Sequence, residues 1–98
     1  MKIEFDDILD ELEQNIKDLK QHTKELSEAI DTFEKVVKNK RWHVTSKHFI
    51  LKQLKQLEVV VINLKIESKR LREPNSIDVI ADKIEKVIEQ IEQEVVDN

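Results

Sequence analysis

Apolar residues recur at alternating intervals of four and three along the first 37 residues, and this spacing restricts the fold more than any other feature. The alternation is the heptad pattern of helices that pack along a coiled-coil-like seam. It runs for more than four heptads without a proline or a glycine, so it predicts one long helix over residues 5–39. The seam residues are Phe5, Leu9, Leu12, Ile16, Leu19, Thr23, Leu26, Ile30, Phe33 and Val37.

Two further helices are predicted from the same kind of spacing, over residues 46–72 and 76–96. Asn39 can end the first helix, Thr45 or Ser46 can cap the second, and Pro74 disfavours helix in the residue before it. The second helix is apolar around much of its circumference, so we expect it to contact two neighbours. Its apolar residues beyond the heptad seam are Leu51, Val59, Val60, Ile62 and Ile66.

These elements predict a single all-α domain over residues 1–98. We expect an antiparallel up-down-up three-helix bundle, built from a coiled-coil-like long helical hairpin and a shorter third helix, because both connections are short. The chain contains no glycine and no cysteine. A chain without glycine is poorly suited to tight hairpins, a Rossmann crevice or a phosphate-binding loop, and one without cysteine has no disulfide or thiolate chemistry.

Charge is segregated along the chain. Residues 1–34 carry a net charge of −7, residues 35–72 carry +9 and residues 73–98 carry −6, which together give the formal −4. One explanation is structural: the cations of the second helix pair with the acidic helices on either side and set their register. That explanation covers Lys52, Lys55, Lys65, Lys69, Arg70 and Arg72.

The other explanation is functional and concerns the connection between the first and second predicted helices, which we call the hairpin tip. Basic and aromatic residues cluster there, beyond the reach of the third helix. A partner-binding surface is predicted there, for an acidic protein surface, a membrane surface or nucleic acid. The leading hypothesis is a non-enzymatic protein-interaction module, a small adaptor, chaperone, antitoxin-like or inhibitor-like protein acting through this tip or a helix face. A nucleic-acid-binding module is the alternative, and self-association is a further expectation. The predicted site comprises Lys38, Lys40, Arg41, Trp42, His43, Lys47, His48 and Phe49.

Two short resemblances involve the same segment. Arg41 and His48 resemble the Arg–His signature of HEPN-type ribonucleases, which implies a histidine acid/base and an arginine that stabilises charge. The chain length and Trp42-His43-Val44 resemble the small Trp-x-Gly proteins of bacterial type VII secretion, although Val44 stands where that family has glycine. Each resemblance offers a further, less favoured function.

The remaining chemistry is sparse. His43 and His48 are not spaced to share a helix face, and no serine has a partnered base. We therefore expect no enzyme activity, no cofactor and no bound metal. The longest apolar run, Val59–Ile62, is too short to span a bilayer, and the acidic N-terminal segment does not look like a signal peptide, so a cytoplasmic location is expected.

Overall fold

The computed structural model describes residues 5–20, 23–38 and 47–97, and all regular structure within these ranges is helical. The all-α class is confirmed for the described residues. The predicted number of helices is wrong, because the described residues form four and not three. They are α1 (Asp6–Asp18), α2 (Lys24–Val37), α3 (Lys47–Arg70) and α4 (Ile77–Asp97).

The long first helix of the heptad prediction is broken between Leu19 and Thr23. Leu19 leaves the helical region with φ −73° and ψ 138°, and Thr23 is extended at φ −90° and ψ 162°. The Thr23 hydroxyl oxygen accepts a hydrogen bond from the Leu26 backbone N–H at 3.1 Å, which caps the start of α2. Thr23, which the heptad pattern places inside a seam, is therefore a helix start.

After the break, α1 folds back along α2. The rings of Phe5 and Phe33 meet edge to face, with centroids 5.6 Å apart and planes at 86°. In one straight helix these two residues would lie about 42 Å apart, at ~1.5 Å of rise per residue. The aromatic contact therefore establishes an α1–α2 antiparallel hairpin.

The two hairpins pack as an up-down-up-down four-helix bundle. α1 and α3 each pack against α2 and α4, which places α1 and α3 at opposite corners. Lys83 of α4 pairs with Glu11 of α1 at 3.0 Å, and Lys65 of α3 pairs with Glu85 of α4 at 2.9 Å. In each pair the two residues lie at the same height on two neighbouring antiparallel helices.

The physical reason for the break is the length of the bundle. A straight helix over residues 5–39 would be about 50 Å long, whereas α3 spans only about 36 Å and the whole molecule measures 43 × 20 × 19 Å. Folding α1 back buries its apolar face instead of leaving it beyond the end of α3. The residues buried on this side are Phe5, directly before α1, and Leu9, Leu12 and Ile16 within it.

The α3–α4 connection is held by Asn75. Its Oδ1 accepts hydrogen bonds from the Ser68 hydroxyl at 2.8 Å and from the Ile77 backbone N–H at 3.1 Å. Ser68, a polar interruption of the second heptad seam, therefore ties the end of α3 to the start of α4.

Candidate protein-interaction site

The outer face of α3 exposes three large aliphatic side chains. The exposed fractions are 55% for Val59, 56% for Ile62 and 45% for Ile66. The spacings of three and four place them on one side of the helix. We call these three residues the outer stripe.

Lysines extend the outer stripe in both directions at the same helical spacing. Lys52 and Lys55 precede it and Lys69 follows it, and all three side chains are exposed. We call them the flanking lysines. The full row of six residues is about 26 Å long, at ~1.5 Å of rise per residue. It has the spacing of a second coiled-coil seam, facing away from the bundle core.

The cations of α3 are mostly left unpaired by the neighbouring helices. Lys65 bridges to Asp82 at 3.0 Å and to Glu85 at 2.9 Å, and its hydrogen bonds to Glu85 and then Asp82 raise its pKa. Arg70 pairs within its own helix, with Glu67 at 3.0 Å. The flanking lysines and Arg72 form no ion pair with any residue in the described ranges. The pairing explanation of the charge segregation therefore holds across helices for Lys65 and is wrong for these four cations.

A groove of about 510 Å³ runs between α2 and α3, alongside the outer stripe. Ala29 and Val60 lie buried in it, and Val59 and Ile66 form part of its α3 side. Glu25 and Glu28 line the α2 side, and Glu28 pairs with the exposed Lys24 at 3.9 Å. We call this the α2–α3 groove. It has an apolar base and an acidic wall.

One end of the α2–α3 groove contains a buried carboxylate that the sequence reasoning missed. Glu67 is 3% exposed, accepts a hydrogen bond from the Thr23 hydroxyl at 2.9 Å and receives the Arg70 guanidinium at 3.0 Å. The Thr23 hydroxyl thus accepts a hydrogen bond from the Leu26 N–H of α2 and donates one to the Glu67 carboxylate of α3. A threonine directly before a periodic apolar run is typical of a helix start, so the cap at Thr23 has a signal in the sequence, but the burial of Glu67 has none.

A second groove, of about 360 Å³, lies on the other side of the outer stripe, between α3 and α4. Ile62 lines it together with several carboxylates, among them Glu58, Glu89 and Glu92. The hydrogen bond to Glu58 raises the pKa of Glu92, and partial burial and the charges of Glu58 and Glu89 act in the same direction. This side of α3 therefore carries crowded negative charge.

Half of the predicted hairpin-tip site lies outside the described residues, namely Lys40, Arg41, Trp42 and His43. Among the rest, Lys38 follows α2 and pairs with Glu34 at 2.7 Å, and its hydrogen bond and charge lower the pKa of Glu34. Lys47 and His48 are exposed in the first turn of α3, and Phe49 is half-buried. The predicted clustering of the eight residues therefore stays a prediction, as does the Arg41–His48 pairing.

No protein-family model, curated protein or solved structure matches this chain. Within the described ranges, no helix has both the length and the apolar character needed to cross a membrane. The same ranges hold no group of three or more side chains arranged to bind a metal ion.

Proposed function

We propose that this chain is a non-enzymatic protein-interaction module, of the adaptor, chaperone, antitoxin-like or inhibitor-like kind, that binds another polypeptide through the outer face of α3. The observation that carries the proposal is the outer stripe, in which Val59, Ile62 and Ile66 are each about half exposed. Single exposed aliphatic residues are ordinary on protein surfaces, but a contiguous row with polar edges is typical of an interaction site.

The geometry suits recognition of a helix. Amphipathic helices bind through anchors at intervals of three and four residues, laid along an apolar groove. The outer stripe supplies such anchors and the grooves on either side of it supply receptive surfaces. The rigid bundle beneath holds both in place, so binding does not have to order a flexible segment.

The hairpin tip is proposed as a second contact region, with Lys38, Lys40, Arg41, Trp42, His43, Lys47, His48 and Phe49. Lys47 and His48 are exposed and stand at the start of the same helix. Tryptophan and arginine are the residue types that dominate binding energy at interfaces.

Nucleic-acid binding is the second candidate, and the unpaired flanking lysines favour it. Phosphate contacts would make the affinity fall steeply as salt rises. The carboxylates that border α3 on both sides act against a polyanion, so this function stands behind protein binding.

The test is affinity capture from lysate of the native host, comparing the wild type with Ile62→Asp. Val79→Asp is the matched control, because Val79 is 52% exposed on α4 and lines neither groove. We expect a partner that binds the wild type and Val79→Asp but is lost with Ile62→Asp, with or without nuclease.

An Arg41→Glu/Trp42→Ala variant probes the tip in the same experiment. A partner lost only with this variant would move the binding site to the tip. Capture that disappears after nuclease treatment would replace the proposal with the nucleic-acid function. Equal capture by all variants would show that the outer stripe is not the binding surface.

A further inference from the structure

We propose that the partner of the outer stripe is a cationic amphipathic helix, and that it binds in the groove between α3 and α4. We call this the α3–α4 groove. The inference rests on the proposed function, because it gives the partner of the same surface a chemical class and a place on the bundle.

The apolar part of the α3–α4 groove suits the apolar face of a helix. Val61 and Ile88 are buried at its base, whereas Ile62 lines it and is about half exposed. Ile66 stands one turn further along the outer stripe and is exposed to a similar extent. A helix lying along the groove can therefore place side chains at intervals of three and four residues against Ile62 and the base.

The α4 side of the groove carries a row of carboxylates. Asp82, Glu85, Glu89 and Glu92 follow one another at intervals of three, four and three, which places them on one side of α4. Lys65 of α3 bridges to Asp82 at 3.0 Å and to Glu85 at 2.9 Å. No cation in residues 5–20, 23–38 or 47–97 pairs with Glu89 or Glu92. One half of the row is therefore neutralised from α3 and the other half is not.

The half without a cation faces a like charge on α3. Glu58 lies against Glu92 across the groove, and its hydrogen bond, partial burial, its charge and the charge of Glu89 all raise the pKa of Glu92. Lys55 precedes Glu58 by one turn but forms no ion pair with it. Like charges that face each other across two helices oppose the fold, and such departures from consistency concentrate at functional sites. A lysine or arginine of the partner, placed between Glu58 and Glu92, would turn this repulsion into attraction.

The α2–α3 groove offers less to a cationic partner. Its carboxylates include Glu28, which pairs with Lys24 at 3.9 Å, and Glu67, which pairs with Arg70 at 3.0 Å. The chain itself therefore supplies cations to the acidic side chains of that groove. The carboxylates around Glu92 have no such partner within the described ranges, so charge selects the α3–α4 groove.

The experiment uses two synthetic peptides about 18 residues long, which as helices match the length of the outer face at ~1.5 Å of rise per residue. Both have leucine at the a and d heptad positions; the positions beside them are lysine in one peptide and glutamate in the other. Fluorescence anisotropy of the labelled peptides measures their binding to the purified full chain. We expect the lysine peptide to bind, more weakly as salt rises, and the glutamate peptide to bind at least ~30-fold more weakly.

Two matched double variants locate the binding site. Glu89→Gln/Glu92→Gln should weaken binding of the lysine peptide about tenfold, because it removes two charge pairs. Glu25→Gln/Glu28→Gln removes the same charge from α2 and should bind the peptide like the wild type. Ile62→Ser, which removes the apolar anchor without adding charge, should weaken binding about tenfold. Circular dichroism of each variant should match that of the wild type, because all these side chains are on the surface.

Equal affinity for the two peptides, or no binding of the lysine peptide, would overturn the cationic class of the partner. A loss with the α2 variant but not with the α4 variant would overturn the choice of groove. Self-association of the wild type that Ile62→Ser removes, measured by sedimentation, would make a second copy of the chain the occupant instead. If the peptide result fails while a host protein is still captured through Ile62, the proposed function stands, so the two failures are distinguishable.

Discussion

The two faces of α3 contain the same kinds of residue at the same spacing, yet one is core and the other is surface. On the inner face Leu54, Leu57 and Leu64 are fully buried against the neighbouring helices. On the outer face the side chains of the outer stripe remain about half exposed. The difference is one of neighbours, because α3 occupies a corner of the bundle and, among the described helices, packs mainly on α2 and α4.

The comparison of the two faces shows that an apolar helix face can be buried but need not be. A wide apolar surface indicates that a helix can have partners on several sides, but it does not say that the same chain supplies all of them. In this molecule α2 and α4 cover the inner face, and the outer stripe remains exposed. The predictions below test that division, beginning with the largest effect.

Truncation should separate the two faces most clearly. Leu57→Ala removes a fully buried side chain and should lower the free energy of unfolding by about 2–5 kcal/mol. Ile62→Ala, on the outer stripe, should change it by less than about 0.5 kcal/mol. Urea unfolding of the two variants and the wild type measures both. Equal losses at the two positions would mean that the outer stripe is part of the core.

The second-largest loss of stability is expected at the polar end of the inner face of α3, where Thr23 meets Glu67. Thr23→Val removes the cap of α2 and the hydrogen bond to buried Glu67, and should cost about 1–2 kcal/mol. Thr32→Val is the matched control, because Thr32 is exposed on the same helix and should have an effect within about 0.5 kcal/mol. A loss no larger than that of the control would show that the Leu19–Thr23 break does not depend on this hydroxyl.

Two lysines of α3 provide a smaller contrast. Lys65→Met removes a cation that bridges to Asp82 and Glu85, and should lower the melting temperature at low salt and less so at high salt. Lys55→Met removes a cation with no ion pair in the described ranges and should leave the melting temperature unchanged. Thermal melts at two salt concentrations check both; a salt-dependent loss at Lys55 would contradict the assignment of the unpaired cations.

The smallest effect concerns pH at the edge of the outer face. The pKa of Glu92 is raised above its ordinary value of 4.5, so the folded state binds this proton more tightly than the unfolded state does. That stabilisation is complete below pH 4.5 and is lost as the pH rises through the higher folded pKa. Glu92→Gln should therefore stabilise the fold at neutral pH, with an advantage that shrinks on acidification towards 4.5.

Denaturation curves of the wild type and Glu92→Gln at several pH values measure this difference. Glu58→Gln should reproduce it, because Glu58 supplies the hydrogen bond and the first charge that oppose ionisation of Glu92. A pH-independent difference would show that the two carboxyl groups do not interact.

The candidate site was only partly predictable. The broad apolar surface of α3 is visible in the spacing of Val59, Ile62 and Ile66. Their exposure is not visible in the sequence, because it depends on which two helices α3 packs against. The buried Glu67 could not be found from spacing, since it owes its burial to the approach of Thr23 from a distant part of the chain.

The sequence by itself determined the all-helical class and the turn after Arg70, because heptad spacing, Pro74 and Asn75 act over a few residues. Only the tertiary structure decided that residues 5–38 form two helices. The heptad pattern runs through the break, so local periodicity is the same for one helix and for two. Burial of Phe5 against Phe33, within a bundle shorter than one straight helix, selects the folded-back form.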